Sequence, residues 1–121
     1  MEIPKNLIFS GETKEFFFGF VSDLAKIIQD HEFNLYTSRI YLVEHNADGQ
    51  GDTWEASAHH KKEAFIFYIK LWSTKEKNQR HYHFELKKHL CSCHVSITTK
   101  FLDEMKDKAP VLLEGFMNQK N

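Results

Sequence analysis

The pattern of hydrophobic positions is helical at both ends of the chain and alternating in between. In the N-terminal part, apolar side chains recur at three- and four-residue steps, as they do on one face of an α-helix. These residues are Phe17, Phe20, Val21, Leu24, Ile27 and Ile28. Thr13 is a suitable N-cap, and Glu15 lies in the first turn, where an acidic group is favourable. The pattern predicts a helix over residues 13–31, after a short extended lead over residues 3–9.

From residue 37 to residue 99 the apolar residues alternate with polar ones, and β-branched and aromatic types are frequent. This composition and period are typical of β-strands. The pattern predicts five strands, over residues 39–45, 52–59, 63–73, 80–87 and 91–98. The connections are too short for helical crossovers, so we expect an antiparallel meander.

A second helical pattern follows the predicted strands. Its apolar residues are Phe101, Leu102, Met105, Ala109, Leu112, Leu113 and Phe116. Thr99 is a suitable cap, and Pro110, which lacks a backbone donor, should kink or break the helix. Two amphipathic helices cover only one face of a sheet. The sequence therefore predicts a two-layer α+β fold, with an N-terminal helix, a five-stranded antiparallel meander sheet and a C-terminal helix packed on one sheet face.

Because side chains alternate along a strand, each predicted strand divides into a helix-facing set and an opposite set. The helix-facing set is Trp54, Ala56, Ala58, Phe65, Phe67, Ile69, Leu71, Tyr82, Phe84, Leu86, Cys93, Val95 and Ile97. The opposite set is Glu55, His59, Ile66, Tyr68, Lys70, Trp72, His81, His83, Glu85, Ser92, His94 and Ser96. This second set mixes aromatic rings with imidazoles, which is typical of a binding surface.

The predicted strand over residues 63–73 is apolar on both faces, whereas a half-solvated strand would carry polar residues at Ile66 and Tyr68. Something must therefore cover its outer side. Three interpretations remain open: the N-terminal segment or a loop covers it, a second copy of the chain packs there, or the surface lines a small-molecule pocket.

Composition narrows the class of protein. The chain has 121 residues, 41% of them hydrophobic and 27% charged, which predicts a single domain over residues 1–121. Sixteen basic residues against seventeen acidic ones argue against general nucleic-acid binding. No run approaches the ~20 apolar residues of a membrane span, and the start does not resemble a signal peptide. We therefore expect no membrane association and a cytoplasmic location.

The histidines and cysteines are concentrated between residues 81 and 94. His81 and His83 lie about 7 Å apart on one side of a strand, and His94 and His59 are the further candidate metal ligands. Cys91 and Cys93 should project from one side of an extended strand, where a direct disulfide is awkward, so we expect reduced thiols.

No spacing among these residues completes a metal site or a catalytic signature, and the chain has no P-loop, GxGxxG motif or nucleophile elbow. No cofactor and no metal are therefore predicted.

The function that these observations favour is a small non-catalytic binding module, with a regulatory, adaptor or immunity-type role. It would bind a protein partner or a second copy of itself through the outer sheet face. The expected anchors are the large rings of Tyr41, Tyr68 and Trp72. The expected polar contacts are His81, His83 and His94.

Two alternatives use other chemistry. A metal-dependent or histidine-dependent enzyme on the same face would use Glu85 or Glu55 as the base. A carrier would instead hold an apolar small molecule in a cavity between the sheet and a helix.

Overall fold

The computed structural model describes residues 14–46, 51–91 and 93–118. Three helices and five strands follow one another in a simple order. They are α1 (Lys14–Asp23), α2 (Ala25–Asp30), β1 (Phe33–Asn46), β2 (Gly51–His60), β3 (Ile66–Glu76), β4 (Gln79–Lys88), β5 (His94–Thr99) and α3 (Leu102–Met117). The predicted lead over residues 3–9 and the predicted cap Thr13 lie outside the described residues.

The five strands form one antiparallel sheet in the order β1-β2-β3-β4-β5, which confirms the predicted meander. The hairpin between β3 and β4 is tighter than predicted, because pairing continues to Glu76 and Gln79. Lys77 and Asn78 form its two-residue loop, with φ of 49° and 65°. Positive φ at both loop residues matches the turns that suit the right-handed twist of paired strands.

All three helices bury side chains against the same face of the sheet, as predicted. One cluster holds Phe17, Phe20, Val21 and Leu24 from the N-terminal part of the chain, Ile28 from α2, and Leu102, Met105, Ala109, Leu113 and Phe116 from α3. The strands supply Trp54, Ala56, Ala58, Phe67, Ile69, Leu71, Tyr82, Phe84 and Leu86. The protein is therefore an α+β fold with one core between a helical layer and a sheet.

The predicted N-terminal helix is not continuous. It is interrupted at Leu24, whose backbone N–H donates a hydrogen bond of 3.0 Å to the carbonyl of Val21. Leu24 is nevertheless buried, with 2% of its surface exposed. Because the apolar stripe continues through Leu24, the hydrophobic pattern alone does not reveal the break.

The boundaries of α3 also differ from the prediction. Phe101, and not Thr99, is its N-cap residue, because Thr99 is the last residue of β5. The Thr99 hydroxyl instead donates to the carbonyl of Phe101 at 2.9 Å. Pro110 lies inside α3, which continues to Met117. A proline removes one helical hydrogen bond, and burial of Ala109 and Leu113 on either side offsets that loss.

Two residues placed in the buried layer lie elsewhere. Phe65 precedes β3 and is 52% exposed, because His60 N–H donates to its carbonyl and closes the turn there. Cys93 is exposed because β5 begins only at His94. β1 begins at Phe33, earlier than the predicted residue 39. In each case long-range pairing set a boundary that the alternating pattern did not define.

The position of the core predicts that two substitutions by alanine will change the free energy of unfolding by different amounts. Ile69 is fully buried in β3, whereas Val111 on α3 is 74% exposed. We expect Ile69→Ala to lower the free energy of unfolding by about 2–5 kcal/mol, because it leaves a cavity. Val111→Ala should change it by less than about 0.5 kcal/mol. Urea unfolding followed by circular dichroism measures both values, and equal effects would contradict the placement of the core.

Candidate functional site

The alternate residues of β2 to β5 that point away from the helices form a surface that we call the outer face. It consists of Thr53, Glu55, Ser57, His59, Ile66, Tyr68, Lys70, Trp72, Thr74, His81, His83, Glu85, Lys87, His94, Ser96 and Thr98. Within the described part of the chain, every helix buries its apolar residues on the opposite side. The prediction that helices shield one side of the sheet only is therefore confirmed for these residues.

A row of alternating charge crosses the outer face. Glu55, Lys70 and Glu85 are direct neighbours on β2, β3 and β4. The Lys70 ammonium lies 3.8 Å from a Glu55 carboxylate oxygen, and only 9% of the Glu55 side chain is exposed. Lys87 lies opposite Tyr68 and adds a second positive charge. The negative charges of the two carboxylates therefore equal the positive charges of the two ammonium groups.

Trp72 and His83 form a stacked pair at one end of the outer face. Their ring centroids are 5.1 Å apart and the planes differ by 14°. The His83 ring is held on both sides, since Nε2 lies 2.7 Å from the Thr74 hydroxyl and Nδ1 lies 3.0 Å from the Thr98 hydroxyl. One ring is thus fixed to β3, β4 and β5 together, which makes the pair a rigid platform.

Tyr68, a second predicted anchor, contacts a residue of a loop and not of a strand. Its hydroxyl lies 2.5 Å from Nδ1 of His89, in the connection between β4 and β5, and the two rings meet edge to face at 5.5 Å. Tyr41, the third predicted anchor, pairs with Glu55 across β1 and β2. The Tyr41 side chain lies outside the described residues.

The four candidate metal ligands are spread over the outer face. His59 pairs with Ile66 at one end of β3, and His81 pairs with Thr74 eight residues further along, about 26 Å away. His94 lies four residues from His83 in the β4 register, about 13 Å away. Among the described residues, no group of three His, Cys, Asp or Glu side chains is placed to hold a metal ion.

His81 differs from His83 in its hydrogen bonding. Among the described side chains, the buried Nδ1 atom of His81 has no hydrogen-bond partner. An unsatisfied buried polar atom costs free energy, and a partner that supplies a donor or acceptor recovers it. His81 therefore carries an unsatisfied nitrogen that is closed off from the surface, whereas both ring nitrogens of His83 have partners.

The expected geometry of the two cysteines was wrong. Both lie in the turn before β5, and the Cys93 backbone N–H donates to Cys91 Sγ at 3.2 Å. A hydrogen bond from the Cys93 thiol, helped by the backbone N–H, lowers the pKa of Cys91. The same bond and the nearby Cys91 sulfur raise the pKa of Cys93. The turn therefore makes two neighbouring thiols chemically unequal.

A cavity at one end of the sheet was not predicted in detail. It lies among His60, Phe65, Lys88 and Leu90, near the C-terminal end of α3. The sequence feature that could have indicated this cavity is the presence of two large apolar residues, Phe65 and Leu90, at turn positions, where such residues are unusual.

Comparisons with known proteins give no relative. No protein-family model matches the chain, and no curated protein and no solved structure matches it significantly. Within the described residues, no helix combines the length and apolar character needed to cross a bilayer. Any functional statement must therefore come from the chemistry of this chain.

The hydrogen bonds of the two histidines predict unequal effects on stability. His83→Ala removes two side-chain hydrogen bonds and the stacking on Trp72. It should lower the free energy of unfolding by about 1–2 kcal/mol. His81→Ala removes an unsatisfied nitrogen and should change it by less than about 0.5 kcal/mol. Urea unfolding of both variants tests this, and a larger loss for His81→Ala would refute the assigned contacts.

The thiol pair predicts an order of ionisation. As pH rises, Cys91 should form its thiolate first, because its pKa is lowered while that of Cys93 is raised. Iodoacetamide labelling across a pH series, read by peptide mass spectrometry, should give Cys91 the lower midpoint. Cys93→Ala should move the Cys91 midpoint to higher pH. Coincident midpoints in the unmodified protein would contradict the hydrogen-bonded arrangement.

Proposed function

We propose that the protein is a non-catalytic binding module whose outer face binds a second copy of the same chain. The observation that carries this proposal is one-sided shielding. The described helices cover one side of the sheet, and the other side carries the half-buried apolar residues Ile66, Tyr68 and Trp72. A partner that covers these residues removes apolar area from water, which favours association.

Charge is the reason for choosing a second copy over another kind of partner. In a two-fold interface, a residue that contacts another across the boundary is contacted by it in return. Lys70 of one copy can face Glu85 of the other, while Glu85 of the first faces Lys70 of the second. The equal number of carboxylates and ammonium groups suits this arrangement, and it offers little attraction for a polyanion such as nucleic acid.

The outer face is large enough for such an interface. The outer face spans four strands at ~4.8 Å spacing and about 26 Å of paired strand, which gives a footprint of roughly 500 Å². That is of the same order as the ~800 Å² that each partner contributes to a standard interface. Two such sheets pack face to face about 10 Å apart, with side chains filling the space between them.

A preformed ring pair on the outer face supports association. The Trp72 ring is already held against His83, so burying it costs little side-chain entropy. Tyr68 completes the set of described anchors, and Tyr41 and His94 belong to the proposed contact surface as predicted.

The biological role that we propose with this surface is regulatory, adaptor or immunity-type, in the cytoplasm. Both cysteines are free thiols, and a reducing compartment keeps thiols in that form. The metal-dependent form of the enzyme alternative gains no support from the geometry, because no group of three His, Cys, Asp or Glu side chains among the described residues is placed to hold a metal ion.

Charge reversal tests the paired contact across the interface. Lys70→Glu alone and Glu85→Lys alone each place like charges opposite each other in both halves of the dimer. Each variant should therefore dissociate at concentrations where the unmodified protein is a dimer. An equal mixture of the two variants restores both pairs, and we expect a heterodimer of them at those concentrations. Light scattering and sedimentation equilibrium measure the masses.

The control variant is Lys108→Glu, which reverses a charge on α3, away from the outer face. It should leave the mass unchanged. Circular dichroism and thermal melting of every variant separate dissociation from unfolding, which matters because Lys70 contacts Glu55 within one chain. The proposal is contradicted if the unmodified protein is a monomer at all concentrations. It is also contradicted if both charge-reversed variants remain dimers.

A further inference from the structure

A cavity of about 470 Å³ lies at the end of the sheet, between the strands and the helical layer. The turn between β2 and β3, the connection between β4 and β5, and the last turn of α3 surround it. The volume is within the range of ~300–1,000 Å³ that is typical of small-molecule sites. Among the described residues of the outer face, Ile66 alone also lines this cavity.

Interlocked aromatic rings form the floor of the cavity. Phe67 meets Phe33 edge to face at 5.1 Å and Phe116 at 5.4 Å. These rings come from β1, β3 and α3, so three elements hold the wall in place. A preformed apolar wall lowers the entropic cost of binding an apolar molecule.

Two polar groups of the cavity can donate hydrogen bonds. The Lys88 ammonium lies over the Phe116 ring, 5.9 Å from its centroid. Nδ1 of His60 accepts backbone N–H bonds from Lys62 at 3.1 Å and Glu63 at 3.0 Å, so the ring carries its proton on Nε2. An ammonium and an imidazole N–H together complement a carboxylate.

The rim of the cavity carries exposed apolar side chains. Leu90 is 92% exposed and has a φ of 59°, in the left-handed region that a leucine rarely adopts. Phe65, on the facing turn, is 52% exposed. Strained, exposed apolar residues gain from contact with a ligand, and such strain is frequent at ligand clamps.

We propose that this cavity binds an amphipathic monocarboxylate. Its apolar chain lies against the wall of phenylalanine rings and under Leu90. Its carboxylate accepts hydrogen bonds from Lys88 and from Nε2 of His60. Glu63 is the one carboxylate among the described lining residues, and its side chain is exposed to water.

Three probes of equal chain length test the head-group assignment in the unmodified protein. Decanoate, 1-decanol and decyltrimethylammonium are titrated by calorimetry below their micelle concentrations. We expect decanoate to bind with one-to-one stoichiometry and at least about tenfold more tightly than the other two. Amide shifts in a nitrogen-15 spectrum should concentrate at residues 60–67 and 88–91.

Four variants test the residues. Lys88→Met should weaken decanoate binding by about tenfold, whereas the matched control Lys100→Met, which changes an exposed lysine after β5 outside the cavity lining, should not. Ala64→Trp should fill the cavity and abolish binding. Leu90→Gly removes the apolar side chain at the rim, so it should weaken binding. It should not lower the thermal midpoint, because glycine adopts the positive φ without strain.

Three results would overturn the proposal: no binding by any probe, decanol binding as tightly as decanoate, or amide shifts centred on Trp72, His81 and His83 of the outer face. Decanoate binding that persists in the charge-reversed variants of the outer face separates this site from the proposed dimer surface. The failure of one proposal therefore does not decide the other.

Discussion

The structure depends on the burial of one face of a five-stranded antiparallel sheet under three helices. Residues of β2, β3 and β4, such as Ala56, Ile69 and Phe84, are fully buried against the helical layer. Because successive side chains on a strand point to opposite sides, this burial determines where every neighbouring residue lies. A shift of one residue in any strand would bring charged residues such as Lys70 into the core. The register of the outer face is thus a consequence of the core.

The same constraint creates the two surfaces for which we propose functions. The described helices pack on one side of the sheet, so Trp72 and its neighbours lie on the side that these helices do not cover. At the end of the sheet the helical layer stops while the strands continue into turns. A cavity remains there between the last turn of α3 and the turn containing Phe65.

The histidines show how a concentration of one residue type can mislead. His94 is close to His81 and His83 in sequence, yet the antiparallel register places it opposite Lys87, about 13 Å along the sheet from His83. His83 is held by two threonine hydroxyls and a tryptophan ring, so its ring serves the structure of the outer face. His60, which drew no attention in the sequence, is the imidazole with a defined tautomer beside a cavity.

The sequence by itself determined the α+β class, the meander order, the buried layer apart from Phe65 and Cys93, and the outer position of Tyr68, Trp72, His81 and His83. These features follow from local periodicity, which is set by backbone geometry and by the removal of apolar side chains from water. Only the tertiary structure decided the break at Leu24, the start of β5 at His94 and the cavity beneath Leu90. The hydrogen bond at the Leu24 break is local, to Val21, whereas the start of β5 and the cavity depend on hydrogen bonds and ring contacts between residues far apart in the chain, such as His89 with Ile66 and Phe67 with Phe116. The hydrophobic periodicity of the sequence does not contain these long-range pairs. A turn residue and a strand residue can occupy equivalent positions in an alternating pattern, and only pairing with a distant strand distinguishes them.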